Sequence, residues 1–283
     1  MRTIKQIHSA KYSPIEDLIT YSPLPSHSVD YIDPFIALNH HGPQRFIPEN
    51  NGLPFGPHPH RGIETVTFIL SGEISHADSR GNNNLIRAGG IQWITAGSGL
   101  IHSETSSEEF KEKGGDLEII QLWINLPSKF KMSPPKYKGL QKEQIPSLNQ
   151  DDQRVKINLI SGNWDHQKGP VQTLTDILMT TINFKSEGQL TLIVPKEHNV
   201  FFYLVRGSLK VNDNTVNKLN LVEFNFDHEV INVKAEKDSA LLFGHATPFK
   251  EPVVVGGPFV MNTEKEIEQA YQDFYTGKMG QWV

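Results

Sequence analysis

The sequence predicts an all-β chain of two similar barrels, residues 1–130 and 131–283, with one short helix at the C-terminal end. Three observations carry this reading. Val66-Thr67-Phe68-Ile69-Leu70-Ser71-Gly72-Glu73-Ile74-Ser75 and Phe201-Phe202-Tyr203-Leu204-Val205-Arg206-Gly207-Ser208-Leu209-Lys210 are both rich in β-branched or aromatic residues and broken by a glycine, with Gly72 and Gly207 lying 135 positions apart. His58-Pro59-His60 and His102-Ser103-Glu104 each place two good metal ligands at i and i+2, the spacing that turns both side chains to one face of a strand. Finally, Thr263-Glu264-Lys265-Glu266 has the form of a helix capping box, followed by Ile267, Ala270, Tyr271 and Phe274 at helical spacing.

Taken in chain order, the first polar oddity is Asn39-His40-His41-Gly42-Pro43. Adjacent residues on a strand point to opposite faces, so His40 and His41 do not form a ligand pair. From His58, the even positions His58, His60, Gly62, Glu64, Val66, Phe68 and Leu70 read as one face, with ligands at one end and apolar core at the other. By that parity Glu64 is a fifth ligand, a hydrogen-bond partner of a ligand, or a rim charge. Ala96-Gly97-Ser98-Gly99 supplies a tight corner before Leu100-Ile101-His102. If the two motifs lie on neighbouring strands, His58, His60, His102 and Glu104 converge on one point. Phe68, Trp93 and Trp123 are candidates to line a pocket there, although each reads more readily as core.

The join between halves falls in 127–150, where prolines and Gly139 punctuate a Lys-rich polar stretch. Val155-Lys156-Ile157-Asn158-Leu159-Ile160 alternates as a strand. Under the offset of 135, His58 maps to Ile193, His60 to Pro195 and Glu64 to Asn199, and Leu192-Ile193-Val194 reads as core. A metal site is therefore expected in the first barrel only. His8, His27, His76, His166, His198, His228 and His245 are isolated in sequence and read as surface or locally hydrogen-bonded residues.

Three imidazoles and a carboxylate form a mixed nitrogen and oxygen set that suits Fe(II), Mn(II), Co(II), Ni(II), Cu(II) or Zn(II). Composition removes other classes. With no cysteine there is neither a disulfide nor a thiolate site. A net charge of −5 without a long basic run argues against nucleic-acid binding. No apolar stretch reaches membrane-spanning length, and Met1-Arg2-Thr3-Ile4-Lys5-Gln6 does not open a signal peptide; a cytoplasmic protein is expected.

The stretches His58-Pro59-His60-Arg61-Gly62-Ile63-Glu64-Thr65-Val66-Thr67 and Thr95-Ala96-Gly97-Ser98-Gly99-Leu100-Ile101-His102-Ser103-Glu104 resemble the signature of the pirins, a family of the cupin superfamily. Asp33-Pro34-Phe35, Gln121-Leu122-Trp123-Ile124-Asn125-Leu126-Pro127 and Gly257-Pro258-Phe259-Val260-Met261-Asn262-Thr263 extend the resemblance along nearly the whole chain. The usual second cupin motif has a proline before its Gly-x-x-His and an asparagine after it; this chain lacks both, as pirins do. The resemblance implies two jelly-roll cupin barrels, and metal ligation by His58, His60, His102 and Glu104, with iron as the usual occupant. It also implies quercetin 2,3-dioxygenase activity, in which O2 opens a flavonol ring and Glu104 acts as general base. A second implication is a metal- or redox-dependent module that binds a transcription factor or metabolic enzyme.

Overall fold

The computed structural model describes residues 1–282. Strands dominate, and they form two sets with the same design. In the first, a seven-stranded antiparallel sheet runs in the order Lys136–Leu140, Ile91–Thr95, Ile63–Ser71, Gly115–Asn125, Phe35–Phe46, Thr20–Leu24, Lys11–Tyr12. Its companion is a four-stranded sheet in the order Phe55–His60, Leu100–Thr105, Glu73–Asp78, Asn83–Arg87. In the second set, the seven-stranded order is Ile4–Ser9, Asn220–Phe224, Asn199–Arg206, Ser239–Ala246, Ile177–Phe184, Val155–Ser161, Ser147–Gln150. Its four-stranded companion is Gln189–Ile193, Val230–Ala235, Ser208–Val211, Asn214–Asn217. Gly72 and Gly207 occupy the same turn in the two sets. Both have positive φ, +76° and +93°, and a Cβ at either would meet a backbone oxygen 2.6 Å away. Only glycine meets both demands, which is why the internal repeat is visible at these positions.

The expected division at 130/131 is corrected by the strand pairing. One compact unit comprises residues 1–11, 22–36 and 144–248; the other comprises 12–21, 37–143 and the described residues from 249 onward. Strand Ile4–Ser9 pairs with Asn220–Phe224 and so belongs with the later half, whereas Lys136–Leu140 pairs with Ile91–Thr95 and carries the earlier barrel past residue 130. Edge pairings of this kind are long-range and leave no local pattern. The C-terminal helix, Glu264–Tyr275, is also reassigned: its Ile267 and Ala270 pack with Ile101, Phe259 and Met261 of the earlier unit. Its expected cap is present. Thr263 Oγ1 accepts from the Glu266 amide at 3.3 Å, and the Glu266 carboxylate accepts from the Asn262 amide at 3.0 Å. No helix among the described residues is long and apolar enough to cross a membrane.

Two buried cations fix the segment that follows the first histidine pair. Lys131 Nζ donates to Gly62 O (3.0 Å), Asn125 Oδ1 (2.7 Å) and Val260 O (2.8 Å). Its acceptors are all neutral and it is 1% exposed, so burial pulls its pKa down to about 8. Arg61 donates to Ser98 O at 2.8 Å and pairs with Asp273 of the C-terminal helix at 2.9 Å. The run from His58 through Leu70 is consequently not one continuous strand. It turns at Arg61-Gly62, leaving Phe55–His60 in the four-stranded sheet and Ile63–Ser71 in the seven-stranded one.

Candidate metal centre

The two histidine motifs lie on directly paired antiparallel strands, with His102 opposite His58 and Leu100 opposite His60. Gly97, at φ +50°, makes the corner that starts the second strand; a Cβ there would lie 2.0 Å from Ser133 O. The pairing brings the three rings together, with centroids 4.4 Å apart for His58 and His102, and 5.0 Å for the two other pairs. One ring nitrogen from each of His58, His60 and His102 falls within 4.8 Å of the others. Backbone carbonyls set two of the tautomers. His58 Nδ1–H donates to Gly56 O at 2.7 Å, and His60 Nδ1–H donates to Pro258 O at 3.1 Å. Each of these two rings is left with an unprotonated Nε2, the form a metal requires.

Burial keeps His60 and His102 neutral. It pushes the His60 pKa down to about 3, helped by the neighbouring His58, and lowers that of His102 strongly as well. His60 Nε2 and both ring nitrogens of His102 are buried and have no hydrogen-bond partner among the described residues. Such atoms are rare in folded proteins and call for an explanation. Three imidazoles with uncommitted ring nitrogens converging on one point are explained by a divalent cation. The donor set fits the group.

Glu104 lies on the same strand as His102, beyond a break in register, and lines the same cavity of about 220 Å³ as His58 and His60. Its carboxylate is outside the three-histidine group. Thr67 Oγ1 donates to its Oε1 at 2.9 Å, Gln92 Nε2 donates to the same oxygen, and Gln121 Nε2 donates to Oε2 at 2.5 Å. Trp123 Nε1–H in turn donates to Gln121 Oε1 at 3.0 Å, while the Trp123 ring stands edge-on to His60 with centroids 4.9 Å apart. Together these contacts hold Glu104 in a fixed orientation.

Comparison with known proteins identifies the chain's relatives. A family model described as Pirin matches residues 18–124, and one described as Pirin C-terminal cupin domain matches residues 179–280. A pirin-like protein of Solanum lycopersicum is 36% identical over 253 residues, covering 88% of this chain and 82% of its own. The chain belongs to the pirin family. A Pseudomonas aeruginosa protein provisionally named a quercetin 2,3-dioxygenase is 37% identical over 265 residues, covering 94% of this pirin and 91% of the relative. The crystal structure of a quercetin 2,3-dioxygenase from Acinetobacter baumannii matches with a TM-score of 0.93 at 33% identity, over 100% of both chains. The bicupin fold expected from the sequence is thereby shown.

Some residues of this pirin stand as their sequence reading has them, and others, Glu64 and Ile193 among them, do not. Glu64 is 1% exposed and accepts from Thr95 Oγ1 at 2.6 Å, with no hydrogen bond to a histidine ligand; burial raises its pKa to about 7. His76 is locally hydrogen-bonded, as expected, with its Nε2 3.3 Å from Asp78 Oδ2, but it is fully buried, stacked 4.2 Å from the Tyr137 ring, and lies opposite Glu104 in the strand register. His40 and His41 do part, as adjacent strand residues must: His40 pairs with Glu118 at 3.1 Å and His41 lines the cavity. Trp123 lines that cavity too, whereas Phe68 and Trp93 are buried core. Ile193, read as core, is 63% exposed. The holders of Glu104 went unread. Their signal was a polar residue inside an otherwise apolar strand, as in Ile91-Gln92-Trp93-Ile94 and Ile119-Ile120-Gln121-Leu122.

Proposed function

We propose that this pirin is a metal-dependent dioxygenase of the quercetin 2,3-dioxygenase type. The convergence of three imidazoles, two of them buried, on the floor of an aromatic-walled cavity supports the reading most directly. His58, His60 and His102 would hold the metal, and Glu104 would add a carboxylate oxygen as the fourth protein ligand. A bound divalent ion, with Fe(II) the foremost candidate and Mn, Co, Ni, Cu or Zn able to occupy the same donors, supplies Lewis-acid and O2 chemistry. Trp123, Phe55 and Ile119 pack the planar substrate and keep water from it. Glu104 receives the proton of the flavonol 3-hydroxyl, and Thr67, Gln92 and Gln121 keep its carboxylate aimed while it does so. The ring opens with uptake of O2 and release of carbon monoxide.

The test is quercetin consumption and carbon monoxide release by protein stripped of metal and reloaded anaerobically with Fe(II). Wild type turns over only when loaded. Glu104→Gln is expected to retain at least half of the metal and to lose about 10²-fold or more in kcat, the usual worth of a positioned base. Wild-type rates in that variant remove Glu104 as the base. No turnover by a fully loaded centre removes the dioxygenase reading and leaves metal-dependent binding of a protein partner as the function to pursue.

A further inference from the structure

The cavity holds a fourth imidazole that the metal does not claim. His41, on strand Phe35–Phe46, lines it beside Phe55, His58 and Trp123, and is 3% exposed. Its Nδ1 lies 2.9 Å from Thr20 Oγ1, and that hydroxyl donates to Leu18 O at 3.2 Å. Since the Thr20 proton goes to a carbonyl, His41 Nδ1–H must be the donor in the contact between them. Nε2 then carries a lone pair, and it has no hydrogen-bond partner among the described residues. The Phe55 ring, 5.0 Å away by centroids, fixes the imidazole plane. Burial, and after it the neighbouring His40, pushes the pKa down to about 3, so the ring is a neutral acceptor at any working pH.

The other polar groups facing the cavity have roles elsewhere: Asn39 has an interaction of its own, and Glu104 is taken by the 3-hydroxyl at the reacting carbon. Glu104 already accepts from Thr67, Gln92 and Gln121, and Gln121 gives its carbonyl to Trp123. His58 and His60 direct their Nε2 atoms toward the metal position. Ile15, Phe55, Ile119, Trp123 and Pro258 offer flat apolar walls. We propose that His41 is a specificity-determining residue, whose Nε2 accepts a hydrogen bond from a phenolic hydroxyl of the substrate at a point away from the metal. The inference rests on the dioxygenase reading and narrows its substrate class to planar aromatics that carry a hydroxyl besides the one at the reacting carbon. Sites built to bond a hydroxyl discriminate against analogues lacking it, because the acceptor is then buried unpaired.

The experiment is an anaerobic titration of Fe(II)-loaded protein with quercetin and with 3-hydroxyflavone, followed by tryptophan fluorescence. Both ligands carry the 3-hydroxyl and 4-keto groups, but only quercetin has further ring hydroxyls. Wild type is expected to bind quercetin about tenfold more tightly, the worth of one good neutral hydrogen bond. His41→Phe fills the space without an acceptor and should bring the two affinities within about twofold, by weakening quercetin alone. His41→Gln, which keeps an acceptor, should restore part of the preference. Should the phenylalanine variant fail to fold, His41→Leu serves the same comparison, with metal content measured on each sample. An unchanged preference in these variants, or an equal loss for both ligands, overturns the inference while leaving the dioxygenase reading intact. Binding of neither flavonol by wild type removes both.

Discussion

The two barrels match strand for strand, in a seven-stranded and a four-stranded sheet each, yet several corresponding inward positions have opposite chemistry. Thr67, a donor to Glu104, has Phe202 as its counterpart under the offset that aligns Gly72 with Gly207. Strand Leu100–Thr105, with His102 and Glu104, corresponds in sheet position to Val230–Ala235, whose Ile231 and Val233 are core. Strand Gly115–Asn125, with Gln121 and Trp123, corresponds to Ser239–Ala246, whose Leu241 and Phe243 join the same cluster. At these positions one barrel places apolar side chains that need no partner. The other places an imidazole, an amide and a carboxylate that must be satisfied by one another or by an ion, beside an apolar core of its own. The scaffold fixes where inward side chains meet, and side-chain identity decides whether the result is a core or a centre.

The sharpest way to break this contrast is to remove a histidine from each barrel. His102→Ala should cut bound metal at least tenfold by elemental analysis, whereas His245→Ala should leave the metal content unchanged. Equal losses would place a metal in both halves. A smaller effect comes from Glu64, a buried carboxyl of the polar interior. Its pKa is raised from 4.5 to about 7, so the folded state binds the proton more tightly. Its contribution to stability is therefore full below pH 4.5 and is lost as pH rises through 7. Glu64→Gln should remove that slope and gain about 3 kcal/mol over wild type at pH 8, measured by urea unfolding at both pH values. A difference that does not change with pH would mean that Glu64 is not buried as a titrating group. The smallest effect concerns the apolar barrel. Arg2 is 1% exposed, and its guanidinium donates to the carbonyls of Asn225, Pro195, Lys196 and His198. Arg2→Met should cost about 2 kcal/mol by leaving those carbonyls short of donors, with metal content unaffected. Loss of metal in that variant would show that the two interiors are not independent.

Much of the centre was legible because strand parity is a strict local rule. Spacing of two put His58 with His60, and His102 beside them was fixed once the motifs were read as neighbouring strands. The repeat showed itself through Gly72 and Gly207, where backbone geometry admits no other residue. What escaped was set by pairing across the sheet. Glu104 shares the face of His102, but residues distant in sequence hold it in a network of their own. His76 and His41 gained their places from strand register and cavity shape. The unit boundaries also escaped, because a strand's partner is chosen by edge geometry far along the chain.

The pairing of Ile4–Ser9 with Asn220–Phe224 has a consequence for synthesis. From Ser9 to Asn220 is 211 residues, so at ordinary elongation rates the first strand waits roughly 10 to 40 seconds on the ribosome before its neighbour exists. Throughout that interval its edge is unclaimed, although the sheet that carries the three clustered histidines can already close. Only Ile4 and Ile7 of this segment are apolar, and Lys5 and Gln6 are exposed, so it is poorly suited to premature association with other nascent strands.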